Sequence, residues 1–163
     1  MLKQIFLAAG LAYAAPALAA PEADEAAAEH PEAKPYKKNA KASENVDAAL
    51  ARAVVEDKRV ILVMGANWCH DSRGLAGWFE QPRFATMLKA KYEVVYVDVG
   101  YRDRNIDIAQ RFGIDAIKGT PTVLILSPRG ALLNPESAPT WRNAASRDEA
   151  DIYTYFDQFM PEL

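Results

Sequence analysis

Three apolar runs of strand length constrain this chain most. They are Arg59 to Met64 (RVILVM), Glu93 to Val99 (EVVYVDV) and Thr122 to Leu126 (TVLIL). The first is continuous and unalternating, as expected of a strand buried on both faces. Helical patterns separate them. From Ser43, which can cap a helix, Val46, Ala49, Leu50, Ala53 and Val54 recur at i, i+3, i+4, i+7 and i+8. After the first strand, Leu75, Trp78 and Phe79 share one side of a helix that Gly74 and Gly77 weaken. Pro82 opens a further helix, with Phe84, Met87 and Leu88 inward. Asn105 to Phe112 is a short helix stopped by Gly113. After the third strand, Ser127 to Gly130 reads as a turn and Ala131 to Leu133 as a short antiparallel return strand. A last helix, Arg147 to Met160, carries the stripe Ile152, Tyr155, Phe156, Phe159 and Met160, read as core packing rather than a cofactor box. The order α-β-α-α-β-α-β-β-α predicts an α/β fold, a central mixed β-sheet flanked by helices on both faces.

The N-terminal quarter has a different composition. Lys3, the apolar run Ile5 to Ala15 and Ala17-Leu18-Ala19 match a secretory signal with an A-x-A cleavage site, so residues 1–19 are expected to be removed. The alternative, a membrane anchor, has only Gln4 to Ala20 to work with, short of the ~20 residues a span needs. Residues 20–42 are acidic, then basic, and broken by Pro21, Pro31 and Pro35. They read as a disordered low-complexity linker, unable to bury enough apolar surface to offset its ordering entropy. An Ala/Glu helix over Glu22 to Glu29, or a metal role for His30, is the sharper alternative there. The domain is then 43–163. The expected location is the periplasm or outside the cell, with no stable membrane insertion after cleavage.

Composition excludes several functions. A net charge of −3 lacks the basic footprint of a nucleic-acid binder. A single cysteine, Cys69, rules out an intramolecular disulfide and any multi-cysteine metal site. His30 and His70 are the only histidines, so no metal and no cofactor is expected.

Two short motifs carry the chemistry. Trp68-Cys69-His70-Asp71-Ser72 follows the first strand and opens a helix, and Gly119-Thr120-Pro121-Thr122 opens the third strand. In that order, on those elements, the chain resembles the thioredoxin superfamily over nearly all of 43–163. The stretch from Trp68 through Phe84 to Asp98 is similar to periplasmic thioredoxin-like domains. The resemblance implies a thioredoxin-like fold in which Pro121 is cis beside the sulfur and Thr120 offers backbone groups to an extended substrate strand. The family's loop is WCxxC, whereas here the second position is Ser72. The position six before the cysteine, often a buried Asp in the family, is Val63.

A thiolate is the nucleophile in disulfide exchange, and a helix N-terminus favours it through unpaired N–H groups and the dipole. Arg73 and a protonated His70 would assist, while Asp71 would oppose. A serine hydroxyl cannot resolve a mixed disulfide as a second thiol does. Ser72 is left the role of a hydrogen-bond partner for the sulfur. Cys69 is expected to be an exposed functional thiol, the alternative being a buried inert one. His70 is either a substrate contact or a solvated loop residue. Trp68 either covers the site or simply packs. Arg102, Asp103 and Arg104 read as a solvated loop, and Asp98 either caps that loop or faces the site.

The first functional expectation is a monomeric monothiol oxidoreductase that forms mixed disulfides through Cys69 with client proteins or small thiols. The second is a redox-inactive peptide-binding or chaperone-like module using the groove beside Thr120-Pro121. The third, a peroxide-reactive thiol, lacks a resolving cysteine.

Overall fold

The computed structural model describes residues 30–38 and 41–159. The expected signal segment, residues 20–29 of the expected linker and the end of the last helix at Met160 lie outside the described residues. Helix α1 spans Ala42–Glu56, strand β1 Arg59–Gly65, helix α2 His70–Glu80 and helix α3 Pro82–Lys91. Strand β2 spans Tyr92–Asp98, helix α4 Ile106–Arg111, strand β3 Thr122–Leu126 and helix α5 Glu149–Asp157. Short 3-10 turns at Ala138–Trp141 and Ala144–Ser146 lie between β3 and α5.

The sheet order is β2-β1-β3, with β1 parallel to β2 and antiparallel to β3. The central strand explains the unalternating run. Ile61 and Val63, with Val123 and Ile125 opposite, face a core built with α2, α3 and α5. Val60, Leu62 and Met64, with Leu124 and Leu126, face a second core built with α1 and α4. Side chains of one strand point alternately to both faces, and here both are covered. This is the expected mixed α/β sheet between two helical layers. No helix of the described residues is long and apolar enough to cross a membrane.

Local expectations changed in four places. The return strand at 131–133 shrinks to one bridge, Leu126 to Leu132. Its place on the edge of β3 is taken by the buried Asn134 side chain, which accepts the Ile125 N–H and donates to the Val123 carbonyl, both at 2.8 Å. Pro135 follows directly and cannot extend a ladder. Helix α1 begins at Ala42 with no side-chain cap, so Ser43 lies inside it. Val54 is 56% exposed, because the buried face of α1 narrows to Ala42, Val46, Ala49 and Ala53.

The fourth change concerns the expected linker. Residues 30–38 are ordered against the domain. The Tyr36 ring is buried in the core with Ile61 and Val63. Asn67 clamps its backbone, accepting the Tyr36 N–H at 3.2 Å and donating to the Tyr36 carbonyl at 2.7 Å. The Ala33 N–H bonds the Arg73 carbonyl at 3.1 Å. Composition suggested a segment with nothing to bury, but one aromatic ring and three backbone hydrogen bonds suffice here. The glycines of α2 make the approach possible. A Cβ on Gly77 would collide with the Pro31 carbonyl, and one on Gly74 would stand 2.8 Å from the His30 ring.

Candidate functional site

Cys69 is the N-cap of α2, as the position of the motif predicts. Strand β1 ends at Gly65, and the turn to α2 is closed by the Cys69 N–H on the Ala66 carbonyl at 3.1 Å. The thiol is buried, 8% exposed, and Sγ donates to the Thr120 carbonyl at 3.2 Å. The expectation of an exposed thiol is therefore corrected: the loop before β3 closes over the sulfur. The Thr120–Pro121 peptide is cis, and both residues are buried. The two motifs, 51 residues apart, thus meet at one hydrogen bond.

Ser72 is fully buried and does not hydrogen-bond the sulfur. Its hydroxyl accepts the Ala66 N–H at 3.4 Å. Gly65 leaves room for this: a Cβ there would lie 2.6 Å from the Tyr36 hydroxyl and 2.7 Å from Ser72 Oγ. The Tyr36 hydroxyl donates to the Ser72 carbonyl at 3.5 Å. Burial pushes the Tyr36 phenol well above its ordinary range, against the Ser72 bond. Val63 is buried beneath the site and pairs with Val123, so no carboxylate occupies that place.

The other motif residues face outward or brace the loop. Trp68 is 50% exposed; its indole N–H donates to the Gly100 carbonyl at 2.9 Å, and its ring stacks on exposed Tyr101 at 5.3 Å. Asp71 accepts the Ala145 N–H at 2.9 Å, tying α2 to the turn at Ala144–Ser146. Asp98 takes the first of its two expected roles. It accepts the Gly100 N–H at 3.1 Å and Arg104 Nη1 at 3.0 Å, and so shapes the loop that supports Trp68. Within that loop Arg102 donates to the Lys118 carbonyl at 3.4 Å, so it is not simply solvated.

A second cluster adjoins the thiol, and sequence reasoning missed it. Arg73 holds Glu32 through both carboxylate oxygens, Nε to Oε2 at 2.8 Å and Nη2 to Oε1 at 3.3 Å. Arg73 Nη1 also bonds the carbonyls of Asn67 and Trp68, each at 3.1 Å. The Arg73 hydrogen bond, helped by the Arg73 charge, holds the Glu32 carboxyl below the usual carboxylate range, against desolvation. His70 Nε2 lies 3.2 Å from Glu32 Oε1. The His30 and His70 rings meet edge to face at 4.5 Å. His30 is therefore not the solvated linker residue expected, because Gly74 gives its ring a place against α2. The i, i+3 glycine pair Gly74 and Gly77 was the available signal for a segment lying across this helix. Two cavities open elsewhere: one between α1 and β2 that includes Arg52 and Tyr96, and one beside Lys118 and Arg142. Cys69 lines neither.

The comparisons with known proteins agree with this geometry. The family model described as Thioredoxin-like matches residues 39–128. Among solved structures, the disulphide isomerase from Xylella fastidiosa Temecula1 is 30% identical with a TM-score of 0.71, over 77% of this chain and 96% of that one. A poplar wild-type thioredoxin h matches at 17% identity and a TM-score of 0.53, over 78% of this chain and 96% of that one, a likeness of fold alone. Among curated proteins no sequence matches.

Proposed function

The chain belongs to the thioredoxin-like family, a thiol–disulfide oxidoreductase family at the coarse level, and on that premise we propose a monothiol exchange protein acting through Cys69. The observation that carries this reading is the Cys69 sulfur at the N-cap of α2, 3.2 Å from the carbonyl that precedes Pro121. There the free N–H groups of the first helical turn can stabilise a thiolate. The step balances with one external disulfide. The Cys69 thiolate attacks one sulfur of R–S–S–R′, forming Cys69–S–S–R and releasing R′–S⁻. A second external thiolate then attacks the mixed disulfide and frees Cys69. Ser72 supports the architecture, through Ala66, rather than this release. A client or small-molecule disulfide supplies the first partner, and a client or small thiol the second.

Burial of the sulfur sets a condition: an attacking disulfide has to reach it beside the Thr120 carbonyl. The signal-like residues 1–19 support an address in the periplasm or outside the cell, where client disulfides persist.

The experiment is incubation with a small aromatic disulfide, read by intact mass. One adduct on Cys69 is expected, absent in Cys69→Ala and removed by glutathione. A thiol that stays unmodified in the folded chain, yet reacts when the chain is denatured, overturns the reading.

A second reading is favoured by one observation, the exposed Trp68–Tyr101 stack beside a closed thiol. In a peptide-binding module, Cys69→Ala retains extended peptide partners while Trp68→Ala loses them. Loss of every partner on Cys69→Ala counts against it.

A further inference from the structure

His30 and His70 are 40 positions apart along the chain, and the fold cancels that separation. His70 opens α2, and residues 30–38 bring His30 and Glu32 against the same helix. His70 Nε2 lies 3.2 Å and His30 Nε2 3.8 Å from one oxygen, Glu32 Oε1. All three ligand atoms lie within 4.8 Å of one another. Donors around a tetrahedral ion with bonds of about 2.0–2.2 Å sit roughly 3.3 Å apart, so small rotations close the shell. The His70 side chain is 59% exposed, which leaves room for such a rotation.

Two further observations point to a ligand. Among the described residues His30 Nε2 is shut off from solvent and has no hydrogen-bond partner, and 3.8 Å to Glu32 is too long to count as one. A buried polar atom left in this way is costly, and a cation between it and the carboxylate would satisfy it. Arg73 also holds both Glu32 oxygens, Oε2 at 2.8 Å and Oε1 at 3.3 Å, and so fixes the carboxylate with Oε1 beside the two imidazoles, as an outer partner orients a ligating carboxylate.

We propose that His30, Glu32 and His70 form a binding site for a late first-row divalent cation such as zinc, held by both Nε2 atoms and Glu32 Oε1, with water completing the shell. Two imidazoles and one carboxylate suit zinc rather than magnesium or calcium. The nearby Arg73 charge weakens the site relative to a dedicated structural one. Bound ion ties residues 30–38 to the first residue of α2, next to Cys69. The site does not depend on thiol chemistry.

The test is calorimetric titration of the full chain with zinc chloride, in parallel with Cys69→Ala, His70→Gln and His30→Gln. One equivalent is expected in the wild type and unchanged in Cys69→Ala, with affinity at least about tenfold weaker in each histidine variant. Zinc should raise the melting temperature of the wild type and not of His70→Gln, each compared with its own metal-free melting. Absence of saturable binding overturns the proposal. So does binding that survives His70→Gln, binding lost on Cys69→Ala, or magnesium matching zinc.

Discussion

Cys69 is the N-cap of α2 and Ser72 lies in its first turn, but the two sit in different surroundings. The sulfur meets the Thr120 carbonyl, whereas the hydroxyl turns inward to the Ala66 N–H. Replacing that hydroxyl with a thiol tests whether the scaffold still supports a dithiol cycle. Ser72→Cys is expected to raise the reduction of a protein disulfide by at least about tenfold, since an internal thiol resolves the mixed disulfide at high effective concentration. An unchanged rate in a folded variant would mean that the buried position or Val63 blocks the second step. Tyr36 is the other residue on which the region depends, with its ring in the core and its backbone clamped by Asn67. Tyr36→Ala removes a buried aromatic ring and should cost about 3 kcal/mol in denaturant unfolding. A loss below about 1 kcal/mol would show that residues 30–38 contribute little to the folded state.

At the scale of elements, helix α2 serves three neighbours. Its N-cap presents the thiol, Asp71 holds the turn at Ala144–Ser146, and Gly74 with Gly77 receives residues 30–38. The glycines cost helix propensity, about 1 kcal/mol each relative to alanine in an open helix. Here alanine at Gly77 would gain propensity but meet the Pro31 carbonyl. Backbone does not yield as a flexible side-chain tip does, so the collision should dominate. Gly77→Ala is expected to lower stability by about 1–3 kcal/mol and to make residues 30–38 more sensitive to limited proteolysis. A more stable variant with unchanged cleavage would contradict the packing described here.

At the scale of the whole molecule, three tyrosines link the fold to alkaline pH. Tyr36, Tyr92 and Tyr96 have phenols raised above their ordinary range, in each case mainly by burial. The native state keeps these protons after the unfolded chain has begun to lose them. Their contribution is therefore complete below the unfolded tyrosine range, near pH 10, and is lost as pH rises through the folded values. Stability should fall above about pH 10, by up to about 1.4 kcal/mol per pH unit for each such tyrosine. Tyr92→Phe, which loses the hydrogen bond to the Phe156 carbonyl, should show a shallower fall. Equal slopes in the two proteins would remove Tyr92 from this account.

Much of the architecture follows from local pattern. The runs at 60–64 and 122–126 are buried throughout and the run at 93–99 in part, because hydrophobic burial acts on every apolar side chain whatever its partner. The WCxxS loop on a helix start likewise placed Cys69 without coordinates, since a cap position depends on near neighbours. Other features needed the folded chain. Residues 30–38 look like a solvated linker by composition, and only the space above Gly74 and Gly77 gives Tyr36 and His30 somewhere to pack. Asn134 stands where a longer return strand was predicted, because its side-chain amide reaches the Ile125 N–H and the Val123 carbonyl of β3. Burial of Cys69 depends on a loop 51 residues away. The sequence by itself determined the elements and the position of the one thiol, through short-range periodicity and capping. Tertiary structure decided what covers that thiol and brought His30, Glu32 and His70 together, because those contacts depend on the distance between elements, which no local pattern encodes.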